Sequence, residues 1–524
     1  MSSLLSASKP NWITILGAVG VSAVTIYVSL RMRRKWRITM EQEEPESYSQ
    51  TENERSGIRT NSIKEEKSED LPDNAAADLE DIAVAEASTD MFQLNAAKHS
   101  VILQKQKMKA LNRRANAIPE LLEDSVHIPG IQKVFVKSYG CSHNSSDAEY
   151  MMGLLQSYGY GFASSLDQAD VCLINSCTVK NPSQDAAVSL IDKAKGLKKP
   201  IVVSGCIPQA DRNLPGLEGV SVIGVTQIDR IVDVVEQALA GNIVRLLTKK
   251  SLPSLDLPKI RRNPLVEIIP LNTGCLGSCT YCKTKHARGK LGSYSPSAIL
   301  QRLNTAIAEG VQQIWLTSED TGAYGLDIET NIAELLKLIV EKLPPTVMLR
   351  LGMTNPPYMM AHLDTIAKLL KHPQVFEFLH IPVQSGSNST LKHMVREYTR
   401  EEFDMTVTKL KTGVPELTIA TDIICGFPTE TDADHKETLS LIETFKFPVL
   451  NISQFYPRPG TPAASMKRLP TQLVKQRSRE VTKLFESYSC YEYLKGTIQK
   501  VWFSELSDRS DSVVGHTKQY SLLR

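Results

Sequence analysis

The stretch Asn272-Thr-Gly-Cys-Leu-Gly-Ser-Cys-Thr-Tyr-Cys-Lys283 contains three cysteines with the spacing C-x-x-x-C-x-x-C, namely Cys275, Cys279 and Cys282. A cubic iron–sulfur cluster normally takes four cysteine ligands. Three ligands leave one iron with an open coordination position, which is where a metal site carries out chemistry. A zinc knuckle is the alternative, but zinc triplets usually have a fourth Cys or His within a few residues, and the only nearby candidate is His286, four residues after Cys282.

The cysteine spacing resembles the signature of the radical S-adenosylmethionine (SAM) superfamily. In that superfamily three cysteines hold a 4Fe–4S cluster whose free iron binds the amino and carboxylate groups of SAM. An electron from the cluster cleaves SAM to a 5′-deoxyadenosyl radical. The resemblance implies that Cys275, Cys279 and Cys282 are metal ligands and belong to the catalytic centre.

Length and charge describe a large, nearly neutral chain. Its 524 residues leave room for about three domains. Lys plus Arg number 60 against 58 Asp plus Glu, a net charge of +2, so charge alone predicts no nucleic-acid partner. Nine cysteines in a chain of this length are too few for a secreted disulfide scaffold, which indicates a reducing, cytosol-facing environment.

The N-terminus predicts a membrane anchor followed by a tether. Residues 1–38 contain an apolar run from Trp12 to Leu30 and then the basic stretch Arg31–Arg37. The run approaches the ~20 residues that span a bilayer as a helix, and the basic flank predicts a cytosolic C-terminal part. We expect the endoplasmic reticulum membrane; a signal peptide or mitochondrial presequence is the alternative. Residues 39–125 read as an acidic, disordered tether.

Residues 126–245 predict a parallel α/β domain with three cysteines at one edge. Strand-like and helical patterns alternate, which favours a parallel sheet whose ligands bind beyond the carboxyl ends of the strands. Cys141, Cys177 and Cys206 each follow a strand pattern directly. Small buried residues at strand ends are the alternative interpretation. Cys172 lies within a strand pattern and is expected in the core, as are Cys425 and Cys490.

Residues 246–485 predict an open, partial (βα)6 barrel. Six strand-like runs are too few to close an eight-stranded barrel, and a lateral opening would admit a large substrate. Active residues should lie at the carboxyl ends of the strands. The runs are Val266–Leu271, Gln313–Thr317, Met348–Met353, Phe376–Ile381, Leu417–Cys425 and Leu450–Tyr456.

Polar residues after these runs are candidates for binding SAM. Carboxylate, amide and hydroxyl oxygens would accept from its cationic and ribose groups, an arginine would meet its carboxylate, and a glycine would lie against its adenine. A turn, a helix cap or a surface salt bridge is the alternative role for each of them. The candidates are Glu319, Asp320, Gln384, Ser385, Arg396 and Gly426.

Three further motifs resemble the methylthiotransferase family: Gly140-Cys-Ser-His-Asn144, Asn175-Ser-Cys-Thr-Val179 and Ser204-Gly-Cys-Ile-Pro-Gln209. The resemblance implies that Cys141, Cys177 and Cys206 hold a second 4Fe–4S cluster with one open iron, where sulfur is methylated before transfer. Both clusters would then face one cavity between the two domains.

Other stretches resemble the subgroup that modifies N6-threonylcarbamoyladenosine in tRNA: Thr284–Gly289, Thr317–Gly325 and Tyr456–Ala463. That subgroup adds a methylthio group to C2 of the adenosine 3′ of the anticodon, with two molecules of SAM. Another base, a ribosomal protein aspartate, or a non-catalytic iron–sulfur scaffold that binds RNA is the alternative. We expect a monomer that needs an electron donor and a sulfur source, both unknown.

Basic residues flank the cysteine triplet at Lys259–Arg262 and Lys283–Lys290. They could hold tRNA phosphates, whereas charge patterning alone favours a solvated loop. Residues 490–524 resemble the start of an RNA-binding TRAM-type β-barrel. They are too few for five strands, so we expect a short, incomplete β segment here.

Overall fold

A computed structural model describes residues 24–27, 132–178, 181–212, 214–506 and 512–523. The predicted tether over residues 39–125 lies outside these ranges, as does most of the predicted membrane segment. Within the described ranges, no helix combines the length and apolar character that a bilayer crossing requires.

The N-terminal part of the described chain is built on a six-stranded sheet, and every neighbouring pair of strands in it is parallel. The predicted parallel α/β architecture is therefore confirmed. In spatial order the strands are Gly161–Phe162, Lys133–Ser138, Val171–Ser176, Ile201–Gly205, Ser221–Ile223 and Arg245–Leu246.

Helices cover both faces of this N-terminal sheet. The helix Asn181–Gly196 packs on one face, where Ile191 contacts the core that contains Ile174 of the sheet. On the other face, Met151 belongs to an apolar cluster that continues into the following domain. The shared core explains why the two domains lie tightly together. The remaining helices are Ser142–Tyr158, Cys206–Ala210 and Ile231–Leu239.

The second domain is the predicted partial barrel of six parallel strands. The strands form two three-stranded sheets, and a parallel bridge between Leu349 and Val375 links them. Ile314 and Leu349 contribute to the main core, and successive side chains along a strand point to opposite faces. The strands are Val266–Pro270, Gln313–Thr317, Met348–Leu351, Phe378–His380, Thr418–Cys425 and Val449–Gln454.

The barrel helices begin at residues that suit helix starts. Ser295 accepts from the Ala298 N–H ahead of Pro296, and Thr399 and Thr431 form capping boxes with Glu402 and Asp434. The helices are Thr284–Arg288, Pro296–Ala308, Ile332–Val340, Pro356–Met359, Leu363–Leu370, Asn388–His393, Arg400–Gly413, Asp432–Phe445 and Thr471–Glu486.

The C-terminal strands Ile498–Leu506, Val513–Thr517 and Leu522–Leu523 form an antiparallel sheet that packs against the barrel. Tyr520 lies 5.0 Å from Phe376 and 4.8 Å from Phe378 between ring centroids. Phe376 and Phe378 share an apolar cluster with Trp502 and Tyr520, whereas Leu379, the next residue of the strand, packs in the main core. Because successive side chains point to opposite faces, the C-terminal segment covers the strand face that points away from the main core.

Two sequence predictions need correction at this level. The predicted membrane helix includes Val24–Tyr27, which the structure shows as a strand paired antiparallel with Ile498–Val501. The β-branched residues in this short segment favour an extended backbone. Cys172 and Cys425 are buried as predicted, whereas Cys490 is partly exposed and donates to the Lys446 carbonyl at 2.9 Å.

Candidate active site

The first group of cysteines, Cys141, Cys177 and Cys206, lies at the carboxyl edge of the N-terminal sheet, and we call it the N-terminal triad. Cys177 directly follows the strand Val171–Ser176. Cys206 directly follows the strand Ile201–Gly205 and is the first residue of the helix Cys206–Ala210. Cys141 is the N-cap of the helix Ser142–Tyr158. Gly140 has a φ of +98°, and a Cβ there would overlap Cys177, so only glycine allows this approach.

Asn144 organises the N-terminal triad from one side. Its amide nitrogen donates to the Ser176 carbonyl at 3.0 Å, and its amide oxygen lies 3.6 Å from the Cys206 Sγ. The same oxygen accepts from Arg288 of the barrel domain at 2.7 Å. Asn144, three residues after Cys141, therefore connects the surroundings of Cys177 and Cys206 to Arg288 of the barrel domain.

Burial and proximity shape the acid–base properties of the N-terminal triad. Burial raises the pKa of Cys141 well above its ordinary value, and the neighbouring Cys177 and Cys206 raise that pKa further. The Arg288 guanidinium opposes this effect on the pKa of both Cys141 and Cys206. Binding iron must therefore displace protons from these thiols.

The second group, Cys275, Cys279 and Cys282, lies on the loop after the first barrel strand, and we call it the barrel triad. A Cβ on Gly277 would lie 3.8 Å from the Cys275 Sγ and 3.9 Å from the Cys279 Sγ, so these two thiols flank one small space. Lys285 fixes the loop by donating to the Leu276 carbonyl at 2.8 Å. Burial, followed by the Asp320 carboxylate, raises the pKa of Cys275 to about 12.

Each triad offers three thiols to a cubic cluster, which takes one thiolate per iron and so keeps one iron open. In the part of the chain that the structure describes, no group of three or more His, Cys, Asp or Glu side chains is placed to hold a single metal ion. Buried Arg288 beside the N-terminal triad and Arg396 beside the barrel triad would balance the negative charge of ligated thiolates.

Two candidate SAM residues form a connected network with the barrel triad. Arg396 donates to the Cys279 Sγ at 3.2 Å and also bonds the side-chain oxygen of Asn355. Asn355 in turn donates to the Asp320 carboxylate at 2.8 Å. Burial raises the pKa of Asp320 to about 6 despite these donors. Contact of Asp320 and Arg396 with SAM stays a prediction.

Glu319 lies between the two domains. Its carboxylate accepts from the Gly274 N–H at 2.8 Å and lies 2.8 Å from the His143 Nδ1. The Arg288 Nε lies 3.4 Å from Oε1, the same Glu319 oxygen that faces His143. These partners hold the pKa of Glu319 below its ordinary value, against the opposing effect of burial. The structure thus assigns Glu319 partners within the protein, and its contact with SAM stays a prediction.

The other candidates lie on turns after the fourth and fifth strands. Gln384 has a φ of +71° and bridges to Ile423 through its backbone. Ser385 is buried and accepts from the Ser387 N–H at 3.2 Å. Gly426 has a φ of +78°, and a Cβ there would overlap Val474, so glycine is required by packing. A role for any of them in binding SAM stays a prediction.

The basic residues around the barrel triad mostly have internal partners, contrary to the expectation that they hold phosphates. Lys259 is buried and lies 3.1 Å from Glu149 and 2.9 Å from Glu267. Lys283 pairs with Asp211 at 3.1 Å, and Arg288 with Asp147 at 2.7 Å. Because a buried charge requires a partner, these positions stabilise the domain interface instead.

Sequence reasoning missed three residues that connect the triads, namely His143, Arg288 and Arg458. All three lie inside the sequence motifs Gly140–Asn144, Thr284–Gly289 and Tyr456–Ala463. Arg458 bonds the Thr178 carbonyl, next to Cys177. Their pairing across domains has no local sequence signal, because each side chain meets partners that are far away in the chain.

Comparison with known proteins identifies relatives of both domains. Residues 133–218 match the uncharacterized protein family UPF0004, and residues 269–442 match the radical SAM superfamily. The chain is 50% identical over 464 residues to the threonylcarbamoyladenosine tRNA methylthiotransferase of Drosophila pseudoobscura pseudoobscura, covering 86% of this chain and 83% of that protein. The Homo sapiens protein of that name is 50% identical over 457 residues, covering 86% and 78%.

Among solved structures, the chain is similar to the radical S-adenosylmethionine methyltransferase TsrM from Kitasatospora setae, solved with cobalamin and a [4Fe-4S] cluster. The sequence identity is 14% and the TM-score 0.47, over 64% of this chain and 77% of that chain.

Proposed function

The chain belongs to the threonylcarbamoyladenosine tRNA methylthiotransferase family, and from this premise we propose that it adds a methylthio group to C2 of N6-threonylcarbamoyladenosine in tRNA. It is a radical SAM transferase that uses two 4Fe–4S clusters and SAM. When bound, these cofactors supply the methyl group, the sulfur site and the radical that activates the C2–H bond.

The observation that carries this proposal is the pair of cysteine triads at one domain interface. Glu319 joins the Gly274 N–H, next to Cys275, to His143, two residues from Cys141. Arg458 joins the loop after the last barrel strand to Thr178, next to Cys177. Sulfur transfer requires two reactive sites that face the same substrate carbon, and these contacts on both sides of the interface support such an arrangement of the triads.

The protein side chains position and shield the reactants. Arg396 donates to the Cys279 Sγ at 3.2 Å, so its positive charge lies against that sulfur. Burial raises the pKa of Cys206, and Arg288 offsets part of that rise. Both arginines are held by further hydrogen bonds, so their charges stay beside the thiols without rearrangement during the reaction.

The proposal is tested by anaerobic reaction of the reconstituted full chain with SAM, a reductant and tRNA that carries N6-threonylcarbamoyladenosine. Mass spectrometry of the digested tRNA should show the methylthio nucleoside, and Cys206→Ala should abolish it while SAM cleavage to 5′-deoxyadenosine continues. The matched control is Cys172→Ala, which removes a buried thiol of the same sheet. Modification of another base or of a ribosomal protein, or no SAM cleavage by the parent, would contradict the proposal.

We further propose that the N-terminal segment holds the protein at the endoplasmic reticulum membrane, with the catalytic part facing the cytosol. The apolar run from Trp12 to Leu30 and the basic stretch after it support this location. Of this run the structure describes Val24–Tyr27, which form a strand. Deletion of residues 1–38 should release the protein from carbonate-washed membranes, and release of the full chain by carbonate would contradict an anchor.

We also propose that the catalytic unit is one chain, because both triads lie on the same chain and share one interface. An external electron donor and a sulfur source complete the reaction. Sedimentation of the reconstituted protein at two concentrations checks the monomer, and a constant fraction of dimer would contradict it.

A further inference from the structure

The loop of residues 456–463, which we call the bridging loop, follows the last barrel strand and reaches the N-terminal domain. The guanidinium of Arg458 donates to the backbone carbonyl of Thr178. Thr178 is buried and directly follows Cys177. One end of the bridging loop is therefore attached to the N-terminal triad.

The other end of the bridging loop contacts the barrel triad. The Ala463 N–H donates to the Thr280 carbonyl at 3.0 Å, and Thr280 directly follows Cys279. Thr280 is itself fixed, because its N–H donates to the Met394 carbonyl at 3.0 Å and its hydroxyl to the His393 carbonyl at 2.9 Å. A displacement of the bridging loop would therefore move a residue next to a cysteine of each triad.

The bridging loop is held in one conformation between these two contacts. The Arg458 carbonyl accepts from both the N–H and the hydroxyl of Thr461, at 3.1 and 2.8 Å. The Ala463 side chain is fully buried against Phe427 and Met394. A short, doubly bonded turn with a buried anchor transmits position more accurately than a free loop does.

The charge of Arg458 lies beside the N-terminal triad, because its guanidinium donates to the carbonyl of the residue that follows Cys177. Burial lowers the pKa of Arg458, while Cys282 of the barrel triad and Cys177 of the N-terminal triad raise it. Burial raises the pKa of Cys282, and Arg458 offsets a small part of that rise. When thiolates ligate the clusters, this cation faces negative charge on two sides.

We propose that Arg458 is a positioning residue that fixes the separation of the two cysteine triads and keeps a positive charge between them. This inference deepens the proposed function and rests on it, because only a reaction that uses both sites needs their separation fixed. Arg458 acts through Thr178 and the bridging loop, and no contact with substrate is required of it.

The loss of Arg458 should leave the fold intact. A continuous apolar core joins the two domains, and the contacts of Glu319 and Arg288 connect them on the other side. The variant should therefore bind both clusters and cleave SAM, but bring sulfur and substrate carbon together less often. The result is uncoupling, in which SAM is cleaved without product.

The test uses full-length Arg458→Gln and Arg458→Lys, with Arg468→Gln as matched control because Arg468 is an exposed arginine just beyond the bridging loop. Iron per chain, the midpoint potentials of both clusters and the ratio of 5′-deoxyadenosine to methylthio product are measured. Arg458→Gln should keep its iron, raise that ratio about tenfold and shift both potentials to more negative values, because a nearby cation favours the reduced cluster. Arg458→Lys should restore the potentials and part of the coupling.

The iron-free protein gives a second, independent measurement. Hydrogen exchange across residues 456–463 should be faster in Arg458→Gln and unchanged in Arg468→Gln. Unchanged exchange, potentials and product ratio in Arg458→Gln would overturn the inference, as would loss of iron equally in Arg458→Gln and Arg458→Lys. If the parent cleaves SAM but forms no methylthio product while the potentials still shift, the proposed function fails and the electrostatic part of the inference survives.

Discussion

Glu319 Oε1 lies 2.8 Å from His143 Nδ1, and this contact joins the barrel domain to the N-terminal domain beside both triads. Both side chains are almost completely buried. Because Glu319 also accepts from the Gly274 N–H, the loop that precedes Cys275 and the helix that Cys141 caps share one carboxylate.

Replacing Glu319 by Gln should destabilise the protein by about 3–5 kcal/mol, because it leaves Arg288 and His143 facing a neutral group in a buried site. Denaturant unfolding of the iron-free protein measures this loss. The control is Glu334→Gln, whose partner Lys337 is exposed and whose loss should cost under about 0.5 kcal/mol. Equal effects of the two substitutions would show that the buried contact contributes little.

The two triads should bind clusters independently. The parent should hold about eight irons per chain, and Cys275→Ala or Cys206→Ala about four each. Their thiols belong to separate loops on separate domains, so loss of one set leaves the other in place. Iron and sulfide analysis after anaerobic reconstitution checks this, with Cys425→Ala as a control that removes a buried cysteine outside both triads. Complete loss of iron from one substitution would indicate a single shared centre.

The iron-free protein should lose stability as the pH rises above the ordinary thiol range. Burial raises the pKa of Cys172 and of Cys275 to about 12, whereas an unfolded thiol titrates near about 8.5. Between these values the unfolded chain releases protons that the folded chain retains, so unfolding becomes more favourable.

Melting temperatures at pH 7 and pH 9.5 measure this dependence. Each buried thiol contributes up to about 1.4 kcal/mol per pH unit in that interval. Cys172→Ala should flatten the dependence, whereas Cys490→Ala removes a partly exposed thiol and should change it less. A melting temperature that stays constant up to pH 9.5 would be inconsistent with neutral buried thiols.

Tyr520 should be important for the stability of the barrel. Its ring packs on Phe376 and Phe378, and the buried Arg350 guanidinium lies 5.1 Å from its centroid. Tyr520→Ala should cost about 3 kcal/mol, because it opens a cavity beside these phenylalanines and removes a cation–π contact. Tyr493→Ala, at an exposed tyrosine, serves as the control in the same denaturation series. A similar small loss for both would mean that the C-terminal segment is only loosely attached.

The sequence by itself determined the parallel architecture and the places of the six cysteines along it. Cys275, Cys279 and Cys282 are close in the chain, so their spacing alone fixes them on one loop. Parallel strands end at a common edge, so three cysteines that each follow a strand must meet there. Alternating apolar patterns likewise located all six barrel strands, with differences of a few residues at their ends.

Only the tertiary structure decided how the two triads are connected. Glu319, Arg288 and Arg458 act through residues that are far away in the chain, and such pairing has no period or spacing that a single sequence reveals. Charge patterning assigned Arg288 to a solvated or phosphate-binding stretch, whereas burial against Asp147 gives it an internal partner. The physical reason is that a buried charge takes its role from whatever the fold brings to it, and that is a property of packing rather than of local sequence.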